Sequence, residues 1–285
     1  MPPLIQPKRS CAVSETEKAT VAARVRCKHE FNRRLTRVQC GDDVGRLELE
    51  IASPELEIHF VGDKRNPRDE NGEFDYEHLN CVDIPRLSSD LNALVRGESV
   101  HMRKFDFRAH EGFDEEQVTS ITDDGFIVIE GIHALNPLLT EGVSDALKFR
   151  IFIDPQPKLE VFVHTRLSSR DSRLVRRLVR DSSFRGMSPA TTFAMWPKVL
   201  AGEDKWILPF RGNADAEFDS SLDYELAVLR NYAEGPLRLV AKKDPSNIQA
   251  HMLADLLSVI DPVSPVSVPG DSILRETIGG SQLEY

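Results

Sequence analysis

The sequence has no long apolar run, few cysteines and no excess of positive charge, and each shortage excludes a class of protein. None of its 285 residues belongs to a run that approaches the roughly 20 consecutive apolar residues of a membrane-spanning helix. The four cysteines lie far apart, form no CxxC pair and have no histidine at metal-ligand spacing. We therefore expect reduced thiols, no zinc site and no membrane partner.

The charge of the chain is acidic but uneven. The net charge is −10 at pH 7, which argues against nucleic acid as a partner because phosphate binding needs positive surface. Residues 1–40 nevertheless carry nine Lys and Arg against three Asp and Glu. This basic front has no apolar segment of a secretory signal, and its Arg-rich composition suits either an organellar targeting segment or a disordered or misassigned leader. We expect a cytoplasmic protein with a basic leader over residues 1–50.

Two β-branched runs predict a parallel sheet. Hydrophobic residues make up 40% of the chain and charged residues 29%, which is the balance of a folded globular protein. The runs FIVIE at 126–130 and FRIFI at 149–153 have no polar alternation, as in strands covered on both faces. A helical segment over 135–147 between them predicts a βαβ unit with the two strands adjacent.

Other segments have weaker but readable patterns. The leucines of residues 84–94 share one helical face and predict a helix that ends near Gly97. Residues 66–75 are too rich in Pro, Gly, Asn and charge for anything except an exposed loop. The remaining predicted elements are two short strands within 46–61, helices over 223–232 and 248–260, and an extended Pro- and Ser-rich tail.

The first chemical signal is a carboxylate at the end of a buried strand. Glu130 closes the FIVIE run and is followed by Gly131. Ligands of doubly wound sheets bind at the carboxyl ends of the strands, and a carboxylate there can hold Mg²⁺ directly or through water. The alternative is a glutamate that only caps the following helix.

The second signal is a row of arginines on one face of a helix. Residues 171–181 place Leu and Val on one side and arginines on the other. Guanidinium groups so close together repel one another unless anions or carboxylates neutralise them. Phosphate groups are such anions; a solvated basic face paired with acidic residues is the alternative, and RNA binding is a third, which the lack of interleaved aromatic residues weakens.

Together these segments resemble the uridine kinase and phosphoribulokinase family of P-loop kinases, in its long bacterial-type, uridine-kinase-like branch. The resemblance covers residues 56–280. It implies an α/β, P-loop-kinase-like three-layer fold with a parallel sheet and a helical lid. The motifs that carry it are NPRDENGEFDYEHL, KFDF, FIVIEGIHALNPLLT, RLVRRLVRDSSFRG, KWILPF, ADAEFDSSLDYELAVL and SILRETIGGS.

The resemblance also implies an activity and an acceptor site. The activity is ATP-dependent phosphorylation of a hydroxyl group in a nucleoside-like small molecule, with Mg²⁺ and ATP and without zinc, haem or flavin. Phe74 and Asp75 match the acceptor segment, in which the acid holds the ribose hydroxyls. Phe105 and His110 match residues that line the nucleoside pocket, and Arg173 matches an arginine on the substrate side. Asp75, His110 and Arg173 are therefore expected to converge on one pocket.

On the phosphate side the resemblance assigns one acid and a set of arginines. Glu130 matches the acid near magnesium. Arg176 and Arg180 match arginines that act on the phosphates during transfer. The nucleotide-binding residues implied in this way are Arg176, Arg177, Arg180 and Arg185.

Two departures from the family pattern set the alternatives. The sequence contains no GxxxxGK[ST] phosphate loop, and the family's catalytic aspartate is replaced by Glu57, which can act as a general base. We therefore expect a fold without the usual first strand and P-loop, in a domain over 51–260 with an extended tail over 261–285. The chain is then a truncated or misassembled kinase, a degenerate kinase (pseudokinase) that binds nucleotide or anion without catalysis, or a kinase with an unusual phosphate site.

Overall fold

The computed structural model describes residues 19–24, 51–52, 59–62, 64–106, 111–121, 126–157, 160–162 and 165–282. Its strands, in chain order, are β1 (Ala19–Arg24), β2 (Ile51–Ala52), β3 (Val100–Asp106), β4 (Glu111–Thr119), β5 (Phe126–Glu130), β6 (Lys148–Asp154), β7 (Glu160–Phe162), β8 (Thr165–Arg166) and β9 (Ala216–Asp219). Its α-helices are α1 (Ile84–Val95), α2 (Ser169–Phe184), α3 (Pro189–Trp206), α4 (Glu225–Arg238), α5 (Asn247–Ser258) and α6 (Leu274–Ile278).

A five-stranded sheet organises these elements. Its order is β2, β5, β1, β6, β9, and every neighbouring pair is parallel. The strands β3 and β4 form a separate antiparallel hairpin, and β7 pairs with β8. A parallel sheet connected by helical segments confirms the α/β class predicted from the apolar runs.

The centre of the sheet differs from the expectation. The strand β1 lies between β5 and β6, so those two are parallel members of one sheet but are not adjacent. It also supplies a first strand within residues 1–50, where we expected only a leader. Its sequence, ATVAAR, has no continuous apolar run; ladder hydrogen bonds from strands on both sides decide its conformation, and no local pattern indicates them.

Local sequence explains why helix α1 forms where it was predicted and why the helix predicted over 135–147 does not form. Helix α1 begins after Asp83, whose side chain accepts the backbone N–H of Arg86, and the chain turns at Gly97 with φ +77°. The predicted helix over 135–147 is wrong: residues 137–140 and 145–147 form two short 3-10 turns. Gly142, at φ +92°, separates the two turns and makes a continuous helix unfavourable.

Two hydrophobic cores hold the described residues. One packs α1 against β5 and β6 and the turn after β5, with Leu87, Leu91 and Ile129 among its buried side chains. The other joins helices α2 to α5 with the carboxyl-terminal segment. Helix α3 belongs to both, since Trp196 lies in the helical core and Trp206 packs against the sheet core. Among the described residues, no helix has both the length and the apolar character needed to cross a membrane.

The carboxyl-terminal segment is folded rather than extended. Residues 265–267 form a 3-10 turn, helix α6 follows, and Val268 and Leu274 are buried in the helical core. The guanidinium of Arg275 donates to the backbone carbonyls of Pro265 and Val268. Spaced apolar side chains and this hydrogen-bonded cation give the segment a packed conformation, which its Pro- and Ser-rich composition does not reveal.

Docking of this segment predicts a large effect of Leu274→Ala. Leu274 is 2% exposed, and truncation of a buried leucine lowers the free energy of unfolding by about 2–5 kcal/mol. The matched control is Leu239→Ala at a side chain that is 84% exposed, where we expect almost no change. Urea unfolding of both variants measures the difference; equal stabilities would contradict the docked segment.

Candidate functional site

Three carboxylates lie at the carboxyl ends of strands in the sheet. Glu130 ends β5, Asp154 ends β6 and Asp219 ends β9, with Asp154 and Asp219 directly paired in register. The carboxyl ends of parallel strands meet at one edge of a sheet, which is where ligands of such sheets bind. The Glu130 side chain is buried at this edge. Of these acids, only Glu130 was predicted from the sequence, although FRIFID ends in an acid just as FIVIE does.

Asp154 is the best-connected of these acids. Its Oδ1 accepts the Ser169 hydroxyl at 2.6 Å and lies 3.9 Å from Nη1 of Arg173. Burial raises the pKa of Asp154, with the nearby Glu203 and Asp219 carboxylates acting in the same direction and the Ser169 hydrogen bond opposing it. The acidic edge is therefore joined to the start of α2 by a hydrogen bond and an ion pair.

Arg173 and Arg176 of α2 are paired with buried glutamates. Arg173 donates to Glu203 of α3, and both side chains are more than nine-tenths buried. Arg176 forms a two-pronged pair with Glu225 of α4 and also donates to the carbonyl of Ser220 at 3.2 Å. These pairs connect α2 to both neighbouring helices.

The later arginines surround a single acid. The Asp181 side chain is completely buried. Its Oδ2 lies 3.3 Å from Nε of Arg177, and its Oδ1 lies 3.8 Å from Nε of Arg180 and 3.2 Å from Nη1 of Arg185. Its Oδ2 also accepts the Thr192 hydroxyl at 3.2 Å. One carboxylate therefore neutralises part of the repulsion among three cations.

The arginine row thus has protein carboxylates as partners, as the alternative interpretation expected. Its exposure increases along the helix: Arg173 is buried, Arg176, Arg177 and Arg180 are half-buried, and Arg185 is exposed. The pairs do not use every donor. Within the described residues, Nε and Nη2 of Arg173 are buried and have no hydrogen-bond partner. A buried guanidinium with spare donors can bind an anionic or hydroxyl-bearing ligand.

Residues 66–78, called the acceptor loop after the role that the resemblance implies for them, are held in shape by their own side chains. Asp69 Oδ1 accepts the backbone N–H groups of Asn71 and Glu73, both at 2.9 Å. The Arg68 guanidinium lies 4.2 Å from the centre of the Phe74 ring. Asp75 Oδ1 accepts the N–H of Glu77 at 3.2 Å, which fixes the direction of the carboxylate. A loop with this much internal bonding presents Phe74 and Asp75 in a defined position.

The predicted pocket is described in part. Phe105 contacts Phe60 edge to face, with ring centres 5.6 Å apart, so the hairpin strand β3 approaches the segment that follows Glu57. Glu57 and His110 lie outside the described residues. The convergence of Asp75, His110 and Arg173 on one pocket therefore stays a prediction.

Four acids of the site were not predicted from the sequence. Asp154 and Asp181 have local signals, because one ends an apolar strand and the other lies four residues after Arg177 on a helix. Glu203 and Glu225 have none. Each lies at least 30 residues from its arginine partner, and only the packing of the helices reveals these pairs.

A buried histidine adjoins the strand end that carries Glu130. His133 lies in the turn after β5, is 2% exposed and meets the Trp206 ring edge to face at 6.5 Å. Burial is the main cause that lowers the pKa of His133 to about 4, and the positive charge that His78 would carry acts in the same direction. The imidazole is therefore neutral at physiological pH.

The donor set at the strand ends suits a partly hydrated cation better than a protein cage. In the described ranges, no group of three or more His, Cys, Asp or Glu side chains could hold a metal ion. Magnesium in phosphate-transfer sites is usually bound through one or two carboxylates together with waters and substrate phosphates. The Glu130 carboxylate, at the carboxyl end of β5, fits that mode.

Comparison with known proteins gives one family. The sequence model of the protein family described as "Phosphoribulokinase / Uridine kinase family" matches residues 11–227 of this chain. A uridine kinase from Deinococcus deserti is 27% identical over 121 residues, or 42% of this chain and 50% of that protein. Uridine-cytidine kinase 2-B of Danio rerio is 28% identical over 158 residues, or 55% and 54% of the two chains. The chain thus spans about half the length of these curated relatives.

Among solved structures, the chain is similar to one titled as a possible uridine kinase from Bacillus stearothermophilus. That likeness covers 73% of this chain and 92% of the other, at 12% identity and a TM-score of 0.40. The structural similarity is too low to add evidence about the fold beyond the strands and helices themselves.

The Arg173–Glu203 pair predicts a characteristic pattern of stabilities. Arg173→Met leaves the Glu203 carboxylate buried without its main cation and should lower the free energy of unfolding by about 3 kcal/mol, since only Arg170 still reaches it. The double change Arg173→Met/Glu203→Met removes both charges and should cost less than the single change. Arg96→Met, which breaks the solvent-exposed pair with Glu98, is the control and should have no measurable effect. A double variant as unstable as Arg173→Met would contradict this account.

Neutral His133 predicts an acid-sensitive stability. The unfolded chain takes up a proton at this histidine near its ordinary pKa of 6.5, whereas the folded chain does so only near 4. Folding stability should therefore fall by about 2 kcal/mol between pH 7 and pH 5 on account of His133 alone. His133→Phe should lose that part of the pH dependence in urea unfolding measured at both pH values. An unchanged difference between the two pH values would show that His133 is not the group responsible.

Proposed function

The chain belongs to the phosphoribulokinase / uridine kinase family, and we propose on that premise that it is a nucleoside kinase that phosphorylates a hydroxyl of a uridine-like nucleoside with ATP. One observation carries the proposal. The acidic strand ends, the arginine helix α2 and the acceptor loop come from distant parts of the sequence. Arg173 of α2 nevertheless lies beside Asp154, and α3 contacts both α2 and the loop. An acceptor, a transferring phosphate and the acids that handle proton and cation must meet in this way for phosphoryl transfer.

On the acceptor side, the proposal gives each loop residue a task. Asp75 holds the ribose hydroxyls, and its anchored carboxylate offers charge-assisted hydrogen bonds that orient the attacking hydroxyl. Phe74, Phe105 and His110 line the nucleoside pocket. The spare donors of Arg173 face the acceptor. Glu57 takes the proton of the attacking hydroxyl as the general base.

On the phosphate side, the arginines of α2 stabilise the charge of the transferring group. Arg176 and Arg180 act on the phosphoryl group, and Arg177 and Arg185 bind the nucleotide. Magnesium, when bound, neutralises the charge of the phosphates, and Glu130 is the residue that holds it directly or through water. We propose a cytoplasmic protein with a small-molecule partner and no nucleic-acid or membrane partner.

A second function is binding without catalysis. The sequence lacks the GxxxxGK[ST] loop that cradles nucleotide phosphates. In addition, Glu225 and Asp181 already pair with arginines that phosphates would need. A degenerate kinase that binds a nucleotide or another anion without catalysis accounts for both facts.

Calorimetry and an assay for uridine-dependent release of ADP separate these functions. Because the P-loop is missing, we expect Mg-ATP to bind more weakly than the micromolar range. We expect uridine to bind and Asp75→Asn to raise its Kd by about 10- to 100-fold, the loss of one charge-assisted hydrogen bond. The control is Asp261→Asn on an exposed residue beyond α5. Uridine-dependent ADP release supports the kinase, binding of uridine or of inorganic pyrophosphate without that release supports the second function, and the absence of all three contradicts each.

A further inference from the structure

One face of helix α3 contacts the acceptor loop at three successive turns. Lys198, Gly202 and Trp206 are four residues apart, so they lie above one another on the helix. Lys198 Nζ donates to Asp69 at 2.9 Å and also to Glu73. The same lysine thus ties both ends of the tight turn that precedes Phe74 and Asp75.

Gly202 sets the distance between the helix and the loop. It is buried, and a Cβ atom built on it would lie 2.4 Å from Cβ and 2.9 Å from Cγ of Glu77. Contacts under 3.0 Å are essentially never found for real Cβ atoms. The base of the Glu77 side chain, two residues after Asp75, therefore approaches α3 so closely that only glycine fits.

Trp206 connects the loop to the sheet. Its ring lies 4.5 Å from that of His78, at the end of the acceptor loop, and meets His133 edge to face. His133 follows the strand end that carries Glu130. One indole therefore contacts both the acceptor loop and the turn next to the proposed magnesium-binding acid.

A neighbouring position on α3 holds the arginine helix. Glu203, directly after Gly202, pairs with Arg173 and with Arg170 at 3.2 Å. Helix α3 consequently contacts the acceptor loop through Gly202 and α2 through Glu203. If the loop shifts on α3, the distance from the loop to the arginines of α2 and the distance from the loop to the strand ends change together.

We infer that α3 sets the position of the acceptor loop against the strand ends and the arginine helix, with Lys198, Gly202 and Trp206 as positioning residues for the acceptor. The inference rests on the proposed function for the identity of the acceptor. Docking of the loop on α3 can be measured without a ligand, so it is tested separately from the identity of the acceptor.

The first test compares two glycine substitutions in helices. Gly202→Ala should displace the loop and weaken a charge-assisted hydrogen bond from Asp75 to uridine, which raises the uridine Kd about tenfold or more. It should also speed amide hydrogen exchange in residues 66–78. Gly235→Ala in α4 is the matched control, because a Cβ there meets nothing within 4 Å. We expect it to leave both measurements unchanged.

The second test changes Lys198, whose side chain is 53% exposed and lies outside the two hydrophobic cores. Lys198→Met should also raise the uridine Kd and speed exchange in residues 66–78, and Lys198→Arg should restore most of both because it keeps the cation. The thermal shift produced by inorganic pyrophosphate, which we expect to bind at the arginine helix, should be the same in all three proteins. A purely structural defect would instead lower the melting temperature and the pyrophosphate shift together.

The outcomes separate the two claims. If the parent protein does not bind uridine, the proposed function fails, and hydrogen exchange alone decides the inference about α3. Faster exchange in Gly202→Ala and Lys198→Met, but not in Gly235→Ala or Lys198→Arg, supports it. Unchanged exchange in residues 66–78 for both Gly202→Ala and Lys198→Met overturns it, as does an unchanged uridine Kd in a parent that binds uridine.

Discussion

The buried ion pair between Arg173 and Glu203 is the contact on which the geometry of the candidate site depends. It joins α2 to α3, and Asp154 at the end of β6 lies beside the same guanidinium. Two charges removed from water are tolerated only while they stay paired, because an isolated buried charge costs several kcal/mol, on the order of 3–5. The arginine helix therefore cannot slide along α3 without a penalty, and its position against the strand ends is defined.

The same helix links the two hydrophobic cores. Trp196 packs among the helices of the carboxyl-terminal half, and Trp206 packs against the sheet and the acceptor loop. A binding site built from a loop, a sheet edge and a helix needs a rigid element that contacts all three, since side-chain geometry is only as precise as its support. The loop contributes little regular structure of its own, so its precision comes from Asp69, Asp75 and the close approach at Gly202.

Charge balance shapes what the arginine helix can bind. Glu225 and Asp181 neutralise arginines that would otherwise repel one another, and they compete with any phosphate for the same donors. Arg173 keeps two unpartnered buried nitrogens among the described residues. A ligand that satisfies those donors gains hydrogen bonds in a site from which water is largely excluded. This arrangement favours an anionic or hydroxyl-rich ligand over an apolar one.

Four features could be predicted from the spacing of neighbouring residues: the α/β class, helix α1, the amphipathic arginine helix and the acid at the end of β5. The motifs of the chain also carried the family resemblance. Three other features became visible only in the folded chain: β1 lies between β5 and β6, residues 265–282 fold onto the helical core, and Glu203 is the partner of Arg173. Those features depend on contacts between residues far apart in the chain, and such contacts leave no periodicity in the local sequence.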